Sequence, residues 1–135
     1  MKIVLCNGVF DLLHVAHLRH LEEARWRGDQ LVVGVTMDAT VTKGNGRPII
    51  PQEERLELIK SLRCVADADL CQDSLDALER WKPAVFCKGY DYIEKKLLYA
   101  EIEYCKKHGI EIYYTRHNSQ TTSGIIERIR KCEFA

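Results

Sequence analysis

What this 135-residue chain lacks narrows it first. Lysine plus arginine number 20 and aspartate plus glutamate number 20, so neither sign of charge is in excess. Without a broad basic field the chain is not built to hold a nucleic-acid backbone. No apolar run approaches the roughly 20 residues of a membrane span. The six cysteines, at 6, 64, 71, 87, 105 and 132, form no Cys-x-x-Cys pair. They read as scattered small hydrophobes in a reducing compartment, not as a disulfide framework. There is no P-loop, and Gly44-x-Gly46 lacks the helix start and third glycine of a dinucleotide fingerprint. Repeats, low-complexity segments and linkers are absent too. The start, Met1 to Cys6, is too short for a signal peptide and passes directly into the stretch Asn7–His17, and the unpaired cysteines set the expectation of a reducing cytoplasm.

What is present is an alternation. With 46% apolar and 30% charged residues the chain suits one domain over 1–135. Short apolar runs predict strands at Ile3–Cys6, Leu31–Thr36, Ala68–Cys71, Ala84–Cys87 and Ile110–Thr115. Helical patterns predict helices at Val15–Arg27, Gln52–Arg63, Ser74–Trp81, Ile93–His108 and Ser123–Lys131. Gly28 and Gly109 stand where C′ glycines stand, Pro51 at a first helical position, and Ser74 and Thr122 at N-caps. Continuously apolar strands separated by helices imply an α/β fold with a parallel sheet covered on both faces. Residues 37–50 form the one long loop. In such folds ligands bind beyond the carboxyl ends of the strands.

The stretch with most chemistry is Asn7-Gly-Val-Phe-Asp-Leu-Leu-His-Val-Ala-His17. A strand, a glycine turn and a helix start form a device for holding phosphates, because the first helical N–H groups point at the anion. His14 and His17 are three apart and share one face of the helix. His20 extends the row and raises a zinc alternative, but no second ligand motif accompanies it, and it reads as a packed residue.

The same stretch resembles the His-x-Gly-His signature of the nucleotidyltransferase superfamily. The similar groups are the ADP-heptose synthase adenylyltransferase domain, glycerol-3-phosphate cytidylyltransferase, and the choline- and ethanolamine-phosphate cytidylyltransferases. Ala16 stands where that family has glycine. The resemblance implies a Rossmann-like three-layer α/β/α fold with a five-stranded parallel sheet in the order 3-2-1-4-5. It implies catalytic roles for His14, His17 and Lys43, the last in Thr42-Lys43-Gly44-Asn45-Gly46-Arg47. Gly8, Val9 and Phe10 belong with nucleotide binding, as do Lys88, Gly89, Asp91 and Tyr92, which resemble the heptose enzyme's Lys-Gly-Gly-Asp-Tyr. Thr121, Thr122 and Ser123 would hold phosphate at the last helix start. The resemblance also implies that Asp11, Arg55 and Arg116 would be acceptor or phosphate ligands, Arg116 matching the glycerol-3-phosphate enzyme instead.

The expectation is therefore a transferase moving a nucleotide monophosphate from CTP or ATP to a sugar or polyol phosphate, with release of pyrophosphate. Mg²⁺ would arrive with the triphosphate, not on a site of the protein alone. Partners would be the triphosphate, the phosphorylated acceptor and a second copy in a homodimer, with no nucleic acid. The rival is a catalytically weak nucleotide-binding regulatory domain.

Overall fold

The sheet is built around β1 (Ile3–Gly8), whose Val4, Leu5 and Cys6 are wholly buried. The computed structural model describes residues 1–41, 44, 46–89, 99–116 and 122–132. β1 is followed by α1 (Val15–Arg25), β2 (Gln30–Thr36), a 3₁₀ turn at Asp38–Thr40, α2 (Gln52–Lys60), β3 (Asp67–Cys71) and α3 (Ser74–Trp81). Then come β4 (Val85–Lys88), α4 (Tyr99–His108), β5 (Glu111–Tyr114) and α5 (Thr122–Lys131). All pairings are parallel, and the strand order is β3-β2-β1-β4-β5. The expected three-layer architecture and strand order are observed.

Alternation along the strands divides the core. Val4, Cys6, Val33, Val35 and Val85 face α1 and α2, meeting Leu21, Ala24 and Ile59. Leu5, Val32 and Phe86 face the other way, toward Ala77 and Leu78 of α3 and Cys105 of α4. Truncating a buried leucine such as Leu5 or Leu21 would cost about 2–5 kcal/mol. The six cysteines are free thiols, four of them buried.

Several punctuation residues act otherwise than expected. Gly109 has φ +67 and closes α4 as a C′ glycine does. Gly28 serves close approach instead, since a Cβ there would lie 2.7 Å from the Lys2 carbonyl and from a Val4 methyl. Pro51 is the N-cap residue of α2, one position earlier than expected. Asp73, not Ser74, caps α3, accepting from the Asp76 N–H at 2.8 Å. The Ser74 hydroxyl accepts from Asn7 Nδ2 at 3.2 Å. Among the described residues no helix is long and apolar enough to cross a membrane.

Candidate active site

The loop from β1 to α1 leaves the sheet through two left-handed residues, Phe10 (φ 54) and Leu12 (φ 50). Non-glycine residues in that region store strain, and such strain clusters at functional sites. Phe10 is turned back under the loop, its ring 3.2 Å from where a Cβ on Gly8 would stand. The same ring meets His17 edge-on, with centroids 5.5 Å apart.

His14 caps α1 with its own side chain. Nδ1 accepts from the Ala16 N–H at 3.2 Å, and the His14 N–H donates to Nδ1 of His17 at 3.2 Å. The two rings stack at 3.8 Å, tilted by 23°. Each Nδ1 is an acceptor, so each neutral ring carries its proton on Nε2. Burial lowers the His14 pKa below its ordinary 6.5, which keeps this tautomer neutral. His14 Nε2 is buried without a hydrogen-bond partner among the described residues. A fixed N–H donor at a helix start, with no protein acceptor, suits a phosphoryl oxygen.

Asp11 and Arg55 are placed differently from the open ligands the sequence suggests. Asp11 is 2% exposed. Its carboxylate accepts from the N–H of Ile49 (2.9 Å) and of Ile50 (3.0 Å) and from Arg47 Nε (3.2 Å). Burial alone would raise its pKa, but these donors outweigh it and hold the group below its ordinary value. Its carbonyl accepts from the Thr122 hydroxyl at 2.7 Å. Asp11 thus ties the histidine loop to the end of the long loop and to the start of α5. Arg55 is 1% exposed. It donates to the carbonyls of Ile50 (2.9 Å) and Val9 (2.7 Å) and to Asp38 Oδ1 (2.6 Å). Each guanidinium nitrogen is engaged, so Arg55 is a tie between segments and not an open phosphate ligand.

Across the switch point, Lys88 ends β4, 5% exposed, its Nζ 5.1 Å from the Phe86 ring centroid. The Cys6–Cys87 register sets the exit of β4, and with it Lys88 and Gly89, beside the end of β1. Thr115 donates its N–H to the Lys88 carbonyl at 2.9 Å, and its hydroxyl lies 2.6 Å from His20 Nδ1. That contact is the packed role expected of His20. Among the described residues no group of three His, Cys, Asp or Glu is arranged to hold a metal. Glu23 accepts from the Tyr113 hydroxyl (2.8 Å) and from the Arg116 N–H (2.9 Å), fixing where the chain leaves β5. Arg116 and Ser123 are exposed. Lys43, Asp91, Tyr92 and Thr121 lie outside the described residues. Sequence reasoning missed Arg47, Asp38 and Glu23 as site-building residues, because their partners are remote in sequence and no spacing announces them.

Residues 5–129 match the family model described as cytidylyltransferase-like. The bifunctional protein HldE of Pseudomonas aeruginosa strain PAO1 is 39% identical over 134 residues, covering 96% of this chain and 28% of that protein. HldE of Helicobacter pylori strain Shi470 is 35% identical with the same coverage. The chain spans about 28% of the length of these relatives. Among solved structures, the lipopolysaccharide core biosynthesis protein from Thermoplasma volcanium GSS1 superposes with a TM-score of 0.71 at 35% identity. That match covers 90% of this chain and 99% of the other. The pantoate-beta-alanine ligase from Francisella tularensis, at 14% identity and a TM-score of 0.65 over 88% of this chain and 60% of its own, shares the fold alone.

Proposed function

We propose, for a chain that belongs to the cytidylyltransferase-like family and is a nucleotidyltransferase by that membership, that it moves the nucleotide monophosphate of ATP or CTP onto a sugar phosphate. The observation that carries this reading is the pair of stacked imidazoles at the start of α1, each with Nδ1 held by a backbone N–H. The acceptor's phosphate oxygen attacks the α-phosphorus, the bond to the bridging oxygen breaks, and pyrophosphate leaves. The nucleophile is already anionic, so the protein's task is alignment and charge stabilisation. Nε2–H of His14 and of His17 donates to phosphoryl oxygens in the transition state. Lys43 adds a positive charge and Thr121 and Ser123 hold phosphate, while Thr122, whose hydroxyl is given to the Asp11 carbonyl, has its backbone N–H to offer. Lys88, Gly89, Asp91 and Tyr92 are the residues proposed to bind the nucleoside.

Both Asp11 oxygens are engaged by the protein. Magnesium would arrive with the triphosphate and offset its charge, rather than on a site made by the protein alone. The likeness to HldE proteins and to a lipopolysaccharide core biosynthesis protein favours a sugar phosphate over a polyol phosphate. A cytoplasmic homodimer is the assembly proposed, checked by sedimentation of the purified chain. The deciding experiment measures pyrophosphate release from ATP, CTP, GTP and UTP, each against sugar 1-phosphates and glycerol 3-phosphate. One productive pair is expected. Tight nucleotide binding with no pyrophosphate from any pair would instead establish a regulatory binding domain, which Ala16 in place of glycine would then explain.

A further inference from the structure

The histidine row of α1 does not end at the site. His14 and His17 are followed at the same spacing by His20 and Glu23, and both of these reach the end of β5. β5 lies two strands from β1, beyond β4. The helix that carries the imidazole pair therefore also grips the far edge of the sheet. Nδ1 of His20 lies 2.6 Å from Oγ1 of Thr115. Glu23 accepts from the Tyr113 hydroxyl at 2.8 Å and from the Arg116 N–H at 2.9 Å.

Thr115 is the pivot of this grip. It is wholly buried, and its N–H donates to the Lys88 carbonyl at 2.9 Å. Its hydroxyl donates to the same carbonyl at 3.4 Å. A hydroxyl has a single proton to give, so the Thr115 oxygen receives N–H from His20. Nδ1 of His20 is thus a donor, where the Nδ1 atoms of His14 and His17 accept. A relay from His20 through Thr115 to the Lys88 carbonyl joins α1 to the point where the chain leaves β4. An apolar pair of the same shape would fill this space as well. What the polar pair adds is direction: it fixes the Lys88–Gly89 exit relative to the turns of α1 that present the imidazoles.

We propose that His20 and Thr115 are positioning residues for the nucleotide, holding the Lys88–Gly89 exit at a set offset from the imidazole pair; the assignment rests on the nucleotidyltransferase reading. Neither residue touches the reacting groups. The imidazole pair keeps its own backbone bonds whatever happens at Thr115. The relay therefore governs nucleotide affinity and not the chemical step.

The test uses the full chain with magnesium and ATP or CTP, reading Kd by calorimetry and kcat and KM in the presence of acceptor. Thr115→Val keeps the shape and removes the hydroxyl, and His20→Leu keeps bulk and removes the donor. Each should weaken triphosphate binding about tenfold, with kcat at saturating substrates within about twofold of wild type. Thr115→Ser and His20→Asn return a hydroxyl and a side-chain N–H, and should restore affinity to within about threefold. The Thr115→Val, His20→Leu double variant should bind no more weakly than the worse single change, because both break one relay. Wild-type affinity in both apolar variants overturns the assignment, as do losses that add in the double variant. So does a fall in kcat with KM unchanged, or a Ser or Asn variant as weak as its apolar counterpart. If Thr115→Val does not fold, His20→Leu against His20→Asn decides the matter. A wild-type chain that binds no triphosphate at all removes the nucleotidyltransferase reading itself, a failure distinct from the others.

Discussion

Replacing Asp11 separates two roles for one carboxylate. If Asp11 were an open ligand for substrate, Asp11→Ala would leave a stable, inactive protein. The structure argues otherwise, since the change orphans the N–H groups of Ile49 and Ile50 and the Arg47 guanidinium, around a side chain 2% exposed. Breaking a buried, hydrogen-bonded charge pair costs about 3–5 kcal/mol. At about 3–5 °C per kcal/mol for a chain of this length, the melting temperature should fall by roughly 10–25 °C. Asp11→Asn should recover part of that loss, keeping one acceptor while turning an NH₂ toward a donor. The folded pKa is depressed, so this stabilisation is complete above the ordinary value near 3.8 and is lost as pH falls below it. Thermal melts of both variants without ligand, beside kcat and KM at a temperature where each is folded, form the assay. A melting temperature within about 3 °C of wild type together with a collapsed kcat would refute the reasoning and return Asp11 to the substrate.

Three further outcomes are expected. His17→Ala should keep its fold and lose about 10²–10³ in kcat, the usual cost of one positioned donor; near-normal turnover would remove His17 from the chemistry. Ala16→Gly should be tolerated in a first turn, costing at most about 1 kcal/mol by melt, while a drop in kcat/KM above about tenfold would show the alanine methyl to be part of a reshaped pocket. His14 has a folded pKa below 6.5, so in acid the unfolded chain takes up a proton that the folded chain refuses. Stability should therefore fall as pH drops below about 6.5, and His14→Gln should show a shallower loss of melting temperature between pH 7 and 5; equal slopes would contradict the burial argument.

The fold was legible because its signals are local. The spacing predicts α3 to the residue at both ends, and the five strands show as short apolar runs. Local signals mislead where a residue answers to something remote. Ser74 looks like a cap, yet its hydroxyl is drawn to Asn7 on β1. Gly28 looks like a helix stop, yet what requires it is the Lys2 carbonyl. The histidine pair was legible as a motif, but its locked tautomers are visible only once Ala16 and His14 offer their N–H groups. Arg55 looks like a surface cation on a polar helix; its burial depends on Val9, Ile50 and Asp38, which no spacing brings together.

The central position of β1 has a consequence for the order in which the molecule can be made. Val4 meets Leu31 on one side and Val85 on the other. The first pairing closes over a short α1 crossover, whereas the second must await α2, β3 and α3, and loop closure over so many residues is slow. As the chain emerges from a ribosome, the histidine loop can form on a two-strand ribbon while the flank of β1 that later receives β4 stays open. That flank carries Val4, Leu5 and Cys6, an unpaired apolar edge of the kind that templates aggregation. A chain stopped after β3 would retain the histidine motif on the half of the molecule most prone to misassemble.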